Sequence, residues 1–156
     1  MSVELVVGTE LSVSVAAPAT YDATGYAALT YTKVGEITDA GEHGPTLSIT
    51  DHTPIDTGIT QKLPGTTSLG EKTLQLGQDR TDAGQAILKT ALANKTRLSV
   101  KVEYQGGDID YFPAYVTSFT TTGGDGNAVR GGTVTLALTT SKSGVGIVEV
   151  NAPAPT

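Results

Sequence analysis

The sequence has no cysteine and no tryptophan, and its two phenylalanines and six tyrosines bring aromatics to only 5% of 156 residues. Without thiols there can be no disulfide framework and no cysteine-based zinc site, so burial alone must hold the fold. That composition suits a reducing compartment such as a bacterial cytoplasm. The aromatic shortage argues against a β-sandwich sugar-binding module, which would present exposed aromatic platforms. Basic residues are few as well: 10 Lys and Arg stand against 16 Asp and Glu, a formal charge of -6. A chain built to grip nucleic acid would show a basic stripe instead. No apolar stretch approaches the roughly 20 residues of a membrane-spanning helix. Met1 to Val7 carries Glu4 and no basic cluster, so a secretory signal and a membrane role are not expected.

Glycine is abundant, at 19 residues, and the hydrophobic fraction of 38% is enough for one modest core. Short apolar runs separated by Gly, Thr and Asp predict a mainly β chain with one helix, an α+β sandwich or barrel-like fold. The expected domain covers 1–150, followed at 151–156 by an extended Pro-rich tail.

Leu11-Ser12-Val13-Ser14-Val15 alternates as a half-buried strand does. Ala16 to Ala28, with Pro18, Asp22 and Gly25, reads as a surface connection, and strand pattern returns at Thr30 to Ile37. Gly and Pro then punctuate a long inter-strand excursion, taken as 39–65, holding two β-prone pieces at Thr46 to Thr50 and Thr57 to Leu63. Connections of that length in a compact domain are usually functional or disordered, which makes this one a candidate contact arm; the plainer alternative is a mobile hairpin. Leu69 to Leu76 follows as a strand with one wet side.

One helix is expected over 82–94. Ala83, Ala86, Ile87, Thr90 and Ala91 share a stripe that Leu88 and Leu92 widen, Asp82 and Gln85 make a capping box, and Asn94 suits the stop. A helix this short must lie on a sheet. Leu98, Val100, Val102 and Tyr104 alternate next, and Gly106-Gly107-Asp108 turns the chain. Ile109 to Thr121 returns with Phe112, Ala114 and Val116 on one side and Tyr111, Tyr115 and Phe119 on the other. Pro113 there demands a sheet edge or a bulge. Val134, Leu136 and Leu138 complete a three-strand meander, and Gly144 to Val150 adds a last short strand.

No constellation in the sequence carries chemistry, so no catalytic residue, cofactor or metal ligand is assigned and the chain reads as a non-enzyme. His43 and His52 lack companions for a metal set and read as surface histidines. Asp108, Asp110, Asp79 and Asp82 read as turn and cap residues. The glycine-rich stretch 123–132 lacks a Lys-Ser/Thr pair and reads as a hairpin turn. A pair of acids meeting from distant strands would leave no trace in sequence, so a hydrolase stays open as a rival.

Three stretches in order, Tyr31-Thr32-Lys33-Val34-Gly35-Glu36-Ile37-Thr38, then Asp51-His52-Thr53-Pro54-Ile55-Asp56, then Leu76 to Gln85 opening the helix, resemble the major tail tube proteins of siphoviruses, the long-tailed bacteriophages with non-contractile tails. The resemblance extends over most of the chain. It implies a β-sandwich flanked by one helix, six copies in a ring, and rings stacked into a tube that DNA traverses during infection. The location implied is the virion tail, after synthesis in the bacterial host cytoplasm. The partners implied are further copies of the chain, the tape measure, terminator and tip proteins, and double-stranded DNA passing without specific binding.

In that family a long loop touches the adjacent ring, which points here to Asp39, Glu42, His43, Asp51, His52 and Asp56 as inter-ring contacts. Lumen-side candidates are Glu71, Thr73, Gln75, Glu103, Thr133 and Thr135, the alternative being that these faces look outward into solvent. Lys72, Arg97 and Lys101 are available to pair with carboxylates between subunits. Rival readings are the tube or ring protein of a contractile tail or type VI secretion system, and the sugar-binding module already disfavoured.

Overall fold

The computed structural model describes residues 3–152; most of the expected Pro-rich tail, 153–156, lies outside them. Within them the chain runs β1 (Glu10–Ser14), α1 (Ala23–Ala27), β2 (Thr32–Val34), β3 (Ile37–Asp39), β4 (Thr46–His52), β5 (Gln61–Ser68), β6 (Glu71–Gly77), α2 (Ala83–Asn94), β7 (Arg97–Glu103), β8 (Ile109–Thr122), β9 (Gly131–Leu138) and β10 (Val148–Val150). The fold is mainly β, as its alternating patterns require. Eight strands make one antiparallel sheet in the order β2-β1-β7-β8-β9-β6-β3, with β10 on β8, while β4 and β5 pair only with each other.

The expected strand at Thr30 to Ile37 is two strands, and they sit at opposite ends of the sheet path. Only Gly35 and Glu36 join them, and three residue steps reach about 11 Å at most. The sheet therefore curls until its two ends nearly meet. Glu36 turns this corner in the left-handed region, with φ 62°. Its carbonyl accepts from Gly77 N at 2.7 Å, tying the corner to β6.

The start of α2 holds the same corner. Asp82 Oδ2 accepts from Gln85 N at 3.0 Å, the expected cap, and also from Gly35 N at 3.1 Å. Gln85 does not complete a capping box. Its fully buried amide instead donates to Gly35 O and Gly77 O, while its oxygen accepts from Asp79 N. Both amide hydrogens and the oxygen are engaged, which is why a polar side chain is tolerated in the core.

The buried helix stripe is also rotated from expectation: Gly84, Gln85, Leu88 and Ala91 face inward, whereas Ala83, Ala86 and Thr90 are exposed. Gly84 sets the rotation, because a Cβ there would stand 2.6 Å from Val34 Cα. Gly84→Ala is expected to destabilise by about 1–3 kcal/mol, since overpacking against β2 backbone outweighs the roughly 1 kcal/mol of helix propensity gained. Calorimetry checks the sign; an exposed helical glycine would give a gain. The helix ends on Lys95, left-handed at φ 58°, one residue past Asn94.

The core lies on the α2 side of the sheet, where Leu11, Val13, Leu74, Leu98, Val100, Phe112, Val134 and Leu136 meet Leu88. The meander β7-β8-β9 forms as its alternation predicts. Pro113 sits neither at an edge nor at a bulge. Its carbonyl accepts from Thr139 N at the point where the second neighbour of β8 changes from β10 to β9, so its missing N–H falls in a gap between ladders. The bulge comes later, between Val116 and Ser118, and flips side-chain parity so that Phe119 returns to the core instead of facing away.

The segment Ala16 to Ala28 is not a simple surface connection. It forms α1, capped by Asp22, whose carboxylate accepts from Gly25 N at 2.8 Å. Tyr26 is wholly buried and stacks on Tyr111 with ring centroids 5.3 Å apart, on the sheet face away from α2. Burial pushes the Tyr26 hydroxyl up to about 12.

Candidate assembly surfaces

With α2 on one face and α1 with its tyrosines on part of the other, the rest of that second face is bare. Antiparallel register arranges it in three cross-strand rows: Glu71-Ala137-Tyr115, Thr73-Thr135-Ser118 and Gln75-Thr133-Thr120. Five of the six lumen-side candidates thus fall side by side on β6 and β9. Glu103 does not join them; it lies on β7 beyond the tyrosines, opposite Glu10 of β1 and 3.8 Å from Lys101 Nζ. Tyr115, on the non-core face that alternation predicts, completes the rows with Ser118 and Thr120, which sequence does not single out because the bulge in β8 shifts the alternation after Val116. These rows contain hydroxyls, one amide and one carboxylate, and no Lys or Arg.

The hairpin β4-β5 is the second surface. Every residue of both strands is exposed, and none belongs to the core. A two-stranded hairpin is marginally stable alone in water, so its order rests on local bonds. Asp51 Oδ1 accepts from Lys62 Nζ at 2.8 Å, an exposed pair worth about 0–1 kcal/mol, and Thr53 and Thr60 hydroxyls bond at 2.9 Å across the tip. Ile55 is fully exposed, and Leu47, Ile49, Ile59 and Leu63 are exposed too. These apolar side chains stand in solvent on a hairpin that pairs with no other strand.

Of the six inter-ring candidates, Asp51, His52 and Asp56 lie on this hairpin. Asp39 belongs to β3 in the main sheet, with its Oδ1 accepting from Gly41 N, and Glu42 lies in the strap 40–45 that leads into β4. The projecting part is therefore 46–68 and not 39–65; it begins later and takes in Gly65 to Ser68, which continue β5.

His43 is not a surface histidine. Its side chain is 8% exposed, and its Nε2 donates to Asp110 Oδ2 at 2.8 Å, beside the Phe112 ring. Lys72 Nζ lies 3.0 Å from His43 Nδ1, and Tyr104 OH donates to Asp110 Oδ2 at 2.9 Å. Lys72 is only 1% exposed, so it cannot pair between subunits as its charge suggests. Its position on the Leu74-Leu76 face already puts it inward, and charge is the misleading signal.

Burial pushes the Lys72 amine down to about 8, against the pull of Asp110 and Asp39. Burial raises the Asp110 carboxyl, but hydrogen bonds from His43 and Tyr104 and the charges of His43 and Lys72 outweigh it, leaving a net lowering. Arg97 is likewise engaged within the subunit, donating to Tyr21 OH at 2.6 Å. Among the described residues no three of His, Cys, Asp and Glu gather as a metal set. No helix among them is long and apolar enough to cross a membrane.

No family model matches the chain, and no curated protein matches it. Solved structures match it in fold. The sheath/tube terminator of the extracellular contractile injection system PVC in its extended state superimposes with a TM-score of 0.63 at 14% identity, over 97% of this chain and 99% of that one. A chain of the anti-feeding prophage baseplate gives 0.62 at 11%, over 89% and 94%. The SPP1 tail tube gives 0.57 at 14%, over 93% and 78%. The fold is thus one found in components of tail tubes and contractile injection systems.

Proposed function

We propose that this chain is a non-enzymatic structural virion protein that forms hexameric rings, stacked into the tail tube of a long-tailed, non-contractile bacteriophage. The observation that carries the reading is the hairpin 46–68, its two strands exposed throughout, studded with isoleucine and leucine, and outside the core of the body that bears it. A second copy supplies what it lacks. The hairpin, with Asp51, His52 and Asp56, reaches the adjacent ring, and Asp39, Glu42 and His43 belong to its root. The likeness in fold to the SPP1 tail tube supports the same assignment.

The bare rows on β6, β9 and β8 then line the lumen, with Glu71, Thr73, Gln75, Thr133 and Thr135 facing DNA in transit. A wall without Lys or Arg releases no counterions from the phosphate backbone, so DNA slides past without salt-sensitive affinity. Glu103 lies off this wall. Tape measure, terminator and tip proteins are the remaining partners, and the assembled protein belongs to the virion tail.

Electron microscopy of the concentrated purified protein tests the assignment: hollow filaments or rings of uniform diameter are expected, and a monomer at every concentration overturns it. The contractile reading has its own support, since two injection-system chains superimpose at 0.62 and 0.63 against 0.57 for the SPP1 tube, while a third, the anti-feeding prophage cap, gives 0.53. Antibody labelling of virions separates the two, because a naked labelled shaft fits a non-contractile tail and a labelled tube inside a sheath fits a contractile one.

A further inference from the structure

An open groove of about 340 Å³ runs beside the C-terminal half of α2, where Val15, Ala86, Ile87 and Ala91 are rimmed by Asn94 and Thr96. Val15 is 73% exposed in it. Ala86, which periodicity alone would turn inward, faces it because the buried stripe of the helix runs through Gly84, Gln85, Leu88 and Ala91 instead.

The surroundings of the groove are basic in a chain that is acidic overall. From Ala83 to Lys101 stand Lys89, Lys95, Arg97 and Lys101, with no Asp or Glu among them. Three are engaged within the subunit: Lys89 over the Phe119 ring, Arg97 with Tyr21 and Lys101 with Glu103. Lys95, between the two rim residues, is exposed, and its side chain has no partner among the described residues.

The tip of the hairpin carries the complement. Ile55, fully exposed, and Asp56 are adjacent in the turn where Gly58 N donates to Pro54 O. Asp51 is taken by Lys62, so Asp56 is the carboxylate of the tip without a cation among the described residues. An apolar side chain next to an acid matches an apolar groove next to a cation.

Tip and groove also stand at opposite ends of the subunit. In the antiparallel sheet β9 and β8 separate β6 from β7, so β6 and β7 run in opposite directions. The hairpin enters the start of β6, whereas the groove flanks the start of β7. A contact between two unlike surfaces at opposite ends repeats from copy to copy and does not stop at a pair.

We propose that this groove is the seat for the hairpin tip of a second copy, with Ile55 on its apolar floor and Asp56 paired with Lys95. The inference rests on the reading of the hairpin as the inter-ring arm and names the surface that receives it.

Because the chain has no cysteine, Ile55→Cys and Thr90→Cys in one chain place one thiol on the tip and one in the groove. Oxidation of assembled protein is expected to give a ladder of covalent multimers, since each copy links to the next. A control chain carrying Ile55→Cys and Val129→Cys, with its second thiol on an exposed loop residue outside the groove, should give none. Filaments that yield no ladder, or a ladder of equal strength from the control, overturn the groove as the seat. Excising the hairpin tests its role in stacking separately, so the two readings fail apart.

A charge exchange keeps the proposal testable if the cysteines hinder assembly. Asp56→Lys or Lys95→Asp alone is expected to raise the critical concentration for filaments at least about fivefold, and the two together to return it to within about twofold of the parent. Single effects that simply add in the double variant overturn the pairing.

Discussion

Replacing residues 47–67 by an Asn-Gly turn is expected to leave the body folded and to abolish long tubes. The excision is geometrically clean, because Thr46 and Ser68 are register partners at the foot of the hairpin, and a two-residue turn closes an antiparallel pair. No hairpin side chain belongs to the core. Shortening the connection between β3 and β6 by a little over one doubling removes roughly 0.8 kcal/mol of loop-closure cost, so the melting temperature should hold or rise slightly. Micrographs should show rings or single subunits and no filaments. Filaments of ordinary length from the shortened chain would mean that the hairpin is not the stacking contact, while a collapsed melting temperature would mean that it is not an independent appendage.

The second large effect concerns the buried amine. At neutral pH Lys72→Met is expected to be more stable than the parent by about 2 kcal/mol. An amine whose pKa falls from 10.5 to about 8 on folding binds fewer protons folded than unfolded between those values. Stability therefore rises with pH across that window, since each tenfold loss of proton affinity on folding corresponds to about 1.36 kcal/mol. One lost hydrogen bond to His43 offsets about 1 kcal/mol of what the variant gains. The parent should catch up with the variant by about pH 10, and denaturant titrations at pH 7, 8.5 and 10 measure the gap directly. Taking the difference removes the half-buried tyrosines Tyr31 and Tyr104, whose raised values act oppositely above pH 10 in both proteins. A gap that does not close would mean that Lys72 carries no desolvation cost.

Much of the body is legible in the sequence because alternation is a local property. Leu98-Val100-Val102 and Val134-Leu136 declare a strand and its inward face without any knowledge of neighbours, and Asp82 declares where a helix begins. What sequence does not carry is whatever depends on a distant contact. The helix rotation follows from Gly84 meeting the backbone of β2, some 50 residues earlier in the chain, and periodicity alone favours alanine faces that are exposed. The bulge before Ser118 has no residue signature, so alternation alone puts Phe119 on the wrong face.

The two surfaces are unevenly legible for the same reason. Strand parity brings Thr73, Gln75, Thr133 and Thr135 together, and pairing register sets them side by side. Glycine and proline around His43 point to a projecting arm, yet a single bond to Asp110, 67 positions away, places it inside the body. Charge misleads for Lys72, where position in the alternation is the better guide.

The corner at Gly35 and Glu36 carries a last consequence. Two strands adjacent in the chain stand at opposite ends of the sheet, and the path between them passes through β9, which ends at Leu138. Neither can find its final place while the ribosome is still making the middle of the protein. The β1-β2 and β3-β6 pairs can each form early, but the sheet that joins them is complete only once β9 has emerged. A subunit built this way gains its closed outline only once β9 has been made, so shorter nascent copies have no complete surface with which to join a growing polymer.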